Sequence, residues 1–281
     1  MVRCHHSVYR TIVFTLLSFL TCAKLLIRED FEQAPDGWKE DLDGNTAYVR
    51  VGHPVDGRSG RRTNFGVFYC PGGSCYRSEY KRDDEHRKLR IGGEYWIGFT
   101  LMLPSNATYL DQTDPNILHF QLHGGDNIGR GPVLGVGIHN SSVDSWRLSV
   151  LGDDRPSSVA PKRTKWSFTQ NIGSIGAGRW QDFVIHLKLE YTPVGFVNVW
   201  HNGVLAVNKS NIATAFNDVH APYVKVGTYV NKPFKAHAGT KTKWWGVSYW
   251  QLKLGDSQSS FDEVSTAHKS KPQMPKLAGT M

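Results

Sequence analysis

Residues 119–124 read HFQLHG and close the run DPNILHFQLHG. In an extended strand, side chains alternate between two faces with a period of two. Phe120 and Leu122 then share one face, and His119, Gln121 and His123 share the other. The first face suits a hydrophobic core. The second sets two imidazoles and an amide side by side, a pattern that a purely structural strand does not need.

The same period recurs along the chain. In EYWIGFTLMLP (94–104), Tyr95, Ile97, Phe99, Leu101 and Leu103 fall on one face. In RWQDFVIHLKLEY (179–191), Phe183, Ile185, Leu187 and Leu189 point in while His186 and Lys188 point out. VLGVGIH (133–139) and WRLSVL (146–151) read as further strands. In FVNVWHNGVLAVN, Asn202-Gly203 between two apolar runs is the signal of a type I′ hairpin. YVKVGTYV (223–230) and WWGVSYWQLKLG (244–255) complete the set. No amphipathic pattern of helical length stands out. The segment 152–170 reads as a long loop carrying Lys162, Arg163 and Lys165 near Trp166, a candidate basic rim for a groove. The expected fold is therefore all-β, an antiparallel sandwich whose second sheet can present a concave polar groove.

Residues 1–23 stand apart. Arg3 and Arg10 precede the apolar run TIVFTLLSFLTCA, which is short for a membrane span, and Thr21-Cys22-Ala23 ends it with small residues. This reads as a secretory signal peptide cut after Ala23, with a signal anchor as the alternative. The protein is then expected to be secreted, extracellular and free of the membrane after cleavage. Cys70 and Cys75 remain, and a disulfide closing a small loop is the natural reading in an oxidising compartment. Sequons at Asn106, Asn140 and Asn208 fit the same route. Residues 24–255 are the expected folded domain, and the polar stretch 256–281 is expected to be a disordered tail.

The whole chain has 33 Lys+Arg against 25 Asp+Glu. Loss of Arg3 and Arg10 with the leader leaves 31 against 25, a net charge of +6. A basic exported protein favours polyanions, and outside the cell these are acidic polysaccharides rather than nucleic acid.

Three segments carry polar groups on one strand face. YRSEY (76–80) offers Arg77 and Glu79. HFQLHG offers His119, Gln121 and His123. YVKVGTYV offers Tyr223, Lys225, Gly227 and Tyr229, with Val224, Val226 and Val230 opposite. If these strands are neighbours, a guanidinium and an amide can hold a carboxylate while an imidazole and a phenol move protons. That set suits β-elimination on a uronic acid, in which the weakly acidic C5 proton leaves and charge builds on the C6 carboxylate. Arg77 and Gln121 would neutralise that charge. His123 or Tyr229 would take the proton, and Tyr229 would protonate the departing O4.

RSE, QLH and VKVGTY, in that order, resemble the R-S/T-E, Q-x-H and K-x-G-x-Y motifs of jelly-roll polysaccharide lyases. The flanks GEYWIGFTLMLP, GRWQDFVIHLKL and GFVNVWHNG, together with REDFEQAPDGW (28–38), look closer to the glucuronan lyase and heparin lyase I relatives than to alginate lyases. The resemblance covers residues 28–255. It implies a concanavalin-like jelly roll, with Arg77, Gln121, His123 and Tyr229 catalytic. Lys225 would be a substrate contact, and Glu79 would orient Arg77; His119 and Tyr223, on the same strand faces, are further candidate substrate contacts. It implies no cofactor for the chemistry and a monomer. Members of this fold can hold a structural calcium ion, but no ligand run here fixes a metal site. Trp244 and Trp245 are placed either to stack on sugar rings or to fill the core.

Stereochemistry leaves the base open. In glucuronate and mannuronate the C5 proton and O4 lie on one side, so a single tyrosine can serve as base and acid. In guluronate and iduronate they lie on opposite sides, and His123 would face Tyr229. A non-catalytic, lectin-like sugar-binding protein of the same fold is the alternative. A hydrolase, which wants two opposed carboxylates, finds only Glu32, Glu79 and Glu94 with no evident pair.

Overall fold

The computed structural model describes residues 24–43, 47–52, 62–68, 77–83, 89–105, 116–126, 128–139, 145–159, 164–230 and 244–266. These residues form two large sheets. The first runs in the order β13 (Val204–Ile212), β12 (Gly195–His201), β11 (Trp180–Lys188), β6 (Glu94–Met102), β16 (Trp244–Gly255), β4 (Arg62–Phe68) and β3 (Ala47–Gly52), with β1 (Leu25–Glu29) also on β16. The second runs β10 (Trp166–Ser174), β9 (Ser145–Pro156), β8 (Pro132–His139), β7 (Asn116–His123), β15 (Tyr223–Val230), β5 (Arg77–Arg82) and β2 (Lys39–Leu42). A short β14 (Phe216–Asn217) pairs in parallel with β9, and every other pairing is antiparallel. The expected all-β sandwich is the fold observed.

The alternating strands explain the packing. Phe183, Ile185 and Leu187 of β11 pair with Phe99, Ile97 and Tyr95 of β6, so one face of both strands is continuous and apolar. All six are buried. Phe99 stacks on Phe120 of the opposite sheet with ring centroids 4.5 Å apart, which places the core between the layers. Tyr249 of β16 is fully buried and donates its hydroxyl to the carbonyl of His119 at 2.5 Å, tying the sheets together beneath β7. The β12–β13 hairpin turns at Asn202 (φ 51°) and Gly203 (φ 80°), the two left-handed residues a type I′ turn requires.

The topology decides where the site forms. β15 comes from late in the chain yet inserts between β7 and β5. The three motif-bearing strands are therefore adjacent, in the order β7, β15, β5.

Two expectations about chain ends and loops are corrected. The segment 152–170 is not a long loop: β9 runs on to Pro156 and β10 starts at Trp166. Within it, Lys165 pairs with Asp154 at 2.7 Å and lies 4.3 Å over the Trp166 ring. Nor does disorder begin at residue 256. Residues 261–264 form a short helix, α1 (Phe261–Val264), with Val264 fully buried. Thr100 of β6 hydrogen-bonds the Thr266 carbonyl at 3.0 Å and the Thr266 hydroxyl at 2.7 Å. A polar segment docks here because Gly98 leaves room for it, since a Cβ at Gly98 would sit 2.0 Å from the Val264 carbonyl oxygen. The expected leader, Cys70, Cys75, Asn106, Asn140, Lys162, Arg163 and residues 267–281 lie outside the described residues, as do the side chains of Trp244 and Trp245. Asn208 is exposed on the edge strand β13.

Candidate active site

Strand register arranges the polar residues in two parallel rows across the second sheet. One row reads Lys225, Gln121, Gly135, Ser149 and Thr169. The other reads Arg77, Tyr229, Leu118, Gly137 and Arg147. Apart from Gly135, these residues line a groove of about 400 Å³ whose walls also include His123, His139 and Arg130. Gly137 forms part of its floor. A Cβ at Gly137 would lie 1.9 Å from the Ile117 carbonyl oxygen, a backbone atom of the neighbouring strand, so only glycine fits there.

Arg77, Gln121, His123, Lys225 and Tyr229, drawn from three strands far apart in sequence, thus share one groove. Tyr223 pairs with His123 across β15 and β7, and their rings lie 5.2 Å apart. Tyr223 therefore braces the imidazole.

His119 is the exception. Beside it, β7 carries one more residue than β8, since Leu118 pairs with Gly137 while Phe120 pairs with Val136. This bulge reverses the alternation. Leu118 turns to the groove and His119 turns into the core, where its ring centroid lies 5.8 Å from that of Trp146 in a T-shaped contact. The expected substrate contact at His119 is corrected to a buried structural histidine. Its Nδ1 donates to the Gly227 carbonyl at 3.0 Å, because a carbonyl oxygen can only accept. Burial lowers its pKa to about 4, against the partial support of that hydrogen bond.

This histidine links stability to pH. Its folded pKa lies below the ordinary value near 6.5, so the unfolded chain binds the proton first. The stabilisation is complete above about pH 6.5 and is lost as pH falls toward 4. Its size is on the order of 3 kcal/mol. Urea titrations between pH 7 and pH 4 should show this decline, and His119→Gln should flatten part of it. An unaltered slope in the variant would assign the decline to other groups.

A buried ionic network underlies the groove. Glu79 is almost fully buried and reaches across β15 at Gly227, where no side chain blocks it. It accepts from Gln121 Nε2 at 2.5 Å and pairs with Lys225 Nζ at 2.6 Å. Glu79 was expected to orient Arg77. It instead fixes Gln121 and Lys225, and Arg77 is held by two residues the motifs do not contain. Arg77 Nη1 donates to Asp41 at 3.2 Å, and Nε pairs with Asp43 at 2.8 Å. Asp41 also accepts from Lys225 at 2.9 Å. Burial works against the Lys225 charge, but Glu79 and Asp41 outweigh it and raise its pKa, so the ammonium persists. Burial raises the Glu79 pKa, opposed by Lys225 and Arg77. Asp41 is lowered despite its burial, chiefly by the hydrogen bond and charge of Lys225.

His123 has the opposite character. Its Nδ1 donates to the Gly124 carbonyl at 2.8 Å, which leaves the lone pair on Nε2. Burial lowers its pKa, and the cations Lys225 and Arg77 lower it further. The ring is neutral at physiological pH and able to accept a proton. Tyr229 lies with its ring centroid 5.2 Å from the Arg77 guanidinium carbon. The groove thus holds two fixed cations, an amide, a neutral imidazole and a phenol.

Arg147 and His139 also belong to the groove and lie outside the three motifs. Their signal is the period-two alternation within VLGVGIH and WRLSVL. Trp146, Leu148 and Val150 face the core, which turns Arg147 and Ser149 outward. Among the described residues, no group of three or more His, Cys, Asp or Glu is placed to hold a metal ion.

A family model described as polysaccharide lyase matches residues 39–247. No curated protein matches the sequence. Among solved structures, the endo-β-1,4-glucuronan lyase of the fungus Trichoderma reesei superposes with a TM-score of 0.68 at 18% identity, over 86% of this chain and 98% of that one. A variant of alginate lyase A1-II′ superposes with a TM-score of 0.50 at 16% identity, over 79% of this chain and 95% of that one. At these identities the likenesses concern the fold.

Proposed function

This chain belongs to the polysaccharide lyase family, and we propose that it is a secreted enzyme that cleaves a β-1,4-linked glucuronate polymer by β-elimination. Alginate and glycosaminoglycans are the next candidates. The observation that carries this reading is the convergence of Arg77, Gln121, Lys225, His123 and Tyr229 on one glycine-floored groove. The similarity to a glucuronan lyase supports the choice of polymer, and the N-terminal leader supports export.

The chemistry follows from the residues. The C6 carboxylate sits at the Arg77–Gln121–Lys225 side of the groove. These groups are already oriented by Glu79, Asp41 and Asp43, so they stabilise the charge that grows there without rearranging. A guanidinium has five N–H donors, and its two aspartate contacts leave others for substrate. Tyr229, beside the Arg77 cation, is the base that takes the C5 proton. Electron density moves into the carboxylate, the C4–O4 bond breaks as the C4=C5 bond forms, and the phenol returns the proton to O4 on the same side of the ring. Neutral His123 accepts a hydrogen bond at Nε2. For a guluronate or iduronate unit it would be the base, with Tyr229 as acid.

Glu32 pairs with Arg62, and Glu94 bonds His186 on the other sheet. Neither faces Glu79 across the groove, so the carboxylate pair of a hydrolase is not formed by these three acids.

Purified protein offered glucuronan, alginate, heparin and hyaluronan should generate an ultraviolet-absorbing unsaturated product fastest from glucuronan. A faster rate on another polymer would move the substrate assignment to it. Arg77→Ala should lower kcat/KM on the preferred polymer about a hundredfold, since it removes one preorganised donor. It also leaves Asp41 and Asp43 to repel the substrate carboxylate. Unaltered kcat/KM would remove Arg77 from carboxylate recognition.

A further inference from the structure

Arg147 stands at the far end of the cross-strand row that begins with Arg77. Four inter-strand steps of about 4.8 Å put the two backbones about 19 Å apart. Tyr229, Leu118 and Gly137 lie between them and line the same groove. Arg147 is held in place rather than left to sample rotamers. Nη1 donates to His139 Nδ1 at 3.0 Å, and Nη2 donates to Thr169 Oγ1 at 2.8 Å. A guanidinium cannot accept, so His139 accepts at Nδ1 and its ring in this pair is neutral. These two contacts orient the fork within the groove. An arginine fork presented in this way matches a carboxylate in shape as well as charge.

We propose that Arg147 is a second carboxylate contact, engaging a uronate of the same polymer chain several sugars away from the one that is cleaved. This deepens the lyase reading and rests on it. The groove would then read a stretch of polyanion laid across the strands. Binding energy gathered at Arg147 would serve the reaction at the distant sugar.

Arg147→Ala should lower kcat/KM on the long polymer roughly tenfold or more. The loss should vanish on oligomers too short to reach from Tyr229 to Arg147. Should the alanine variant fail to fold, Arg147→Gln keeps a polar side chain while lacking the charge, and it carries the same expectation. Equal kcat/KM on the polymer, or an equal loss on short and long substrates, would overturn the proposal. Polymer affinity measured in a Tyr229→Phe background, with and without Arg147→Ala, reads the contact without turnover. Equal affinities there overturn the contact, whereas wild-type protein inert on every uronate polymer overturns the lyase reading instead.

Discussion

Tyr229→Phe is expected to lower turnover on the preferred polymer by about 10²–10⁴-fold, the range removed with a general acid–base group. The phenyl ring keeps its place beside Arg77, so polymer affinity and melting temperature should stay near the wild-type values. The split follows from the role: the hydroxyl carries the proton, and Arg77, Gln121 and Lys225 hold the substrate. A loss confined to kcat marks an interaction made in the transition state. Turnover close to wild type would take Tyr229 out of the mechanism, and a parallel fall in affinity would make it a binding residue instead.

Gly227→Ala is expected to be more damaging still, because it strikes the fold and the site together. Gly227 has φ +139°, a conformation that side-chain-bearing residues rarely adopt. A Cβ there would lie 2.3 Å from the Ser78 carbonyl oxygen and 2.7 Å from the Glu79 Cα, both backbone atoms that cannot step aside. Backbone strain and overpacking together imply a loss on the order of 3–5 kcal/mol, measurable by urea denaturation. The same substitution would push Glu79 from its path across β15 and loosen Gln121 and Lys225. Residual folded protein should therefore lose activity as well. A variant of wild-type stability would mean that β5 and β15 can part without cost.

Much of the architecture is legible in the chain because period-two strands with one apolar face leave a plain record. β6 and β11 bury the residues their alternation marks. Asn202-Gly203 makes the turn its left-handed preferences require. What brings the motif strands together is the insertion of β15 between β7 and β5, a long-range pairing that no local pattern encodes. The bulge at His119 is invisible for a related reason. Alternation is a rule about regular strands, and one extra residue inverts it. Asp41 and Asp43 sit on or beside a four-residue edge strand with no apolar face, so nothing local marks them as partners of Arg77. Arg147 is the contrary case, since its outward direction is written in the WRLSVL pattern. Its importance depends on being level with Arg77, which is a matter of register across five strands.

The segment after β16 bears on where the domain can be shortened. A protein ended at Gly255 would retain every strand and every groove residue, yet it would uncover Gly98 and the Thr100 hydroxyl on the back of the first sheet. Trp200 would lose the ring of Phe261, and Lys253 the carbonyl of Ser265 that its ammonium reaches at 2.9 Å. The eleven residues 256–266 thus behave as a patch riveted over a bare spot on the outer wall, and recombinant versions that keep them should resist heat and self-association better than those that do not.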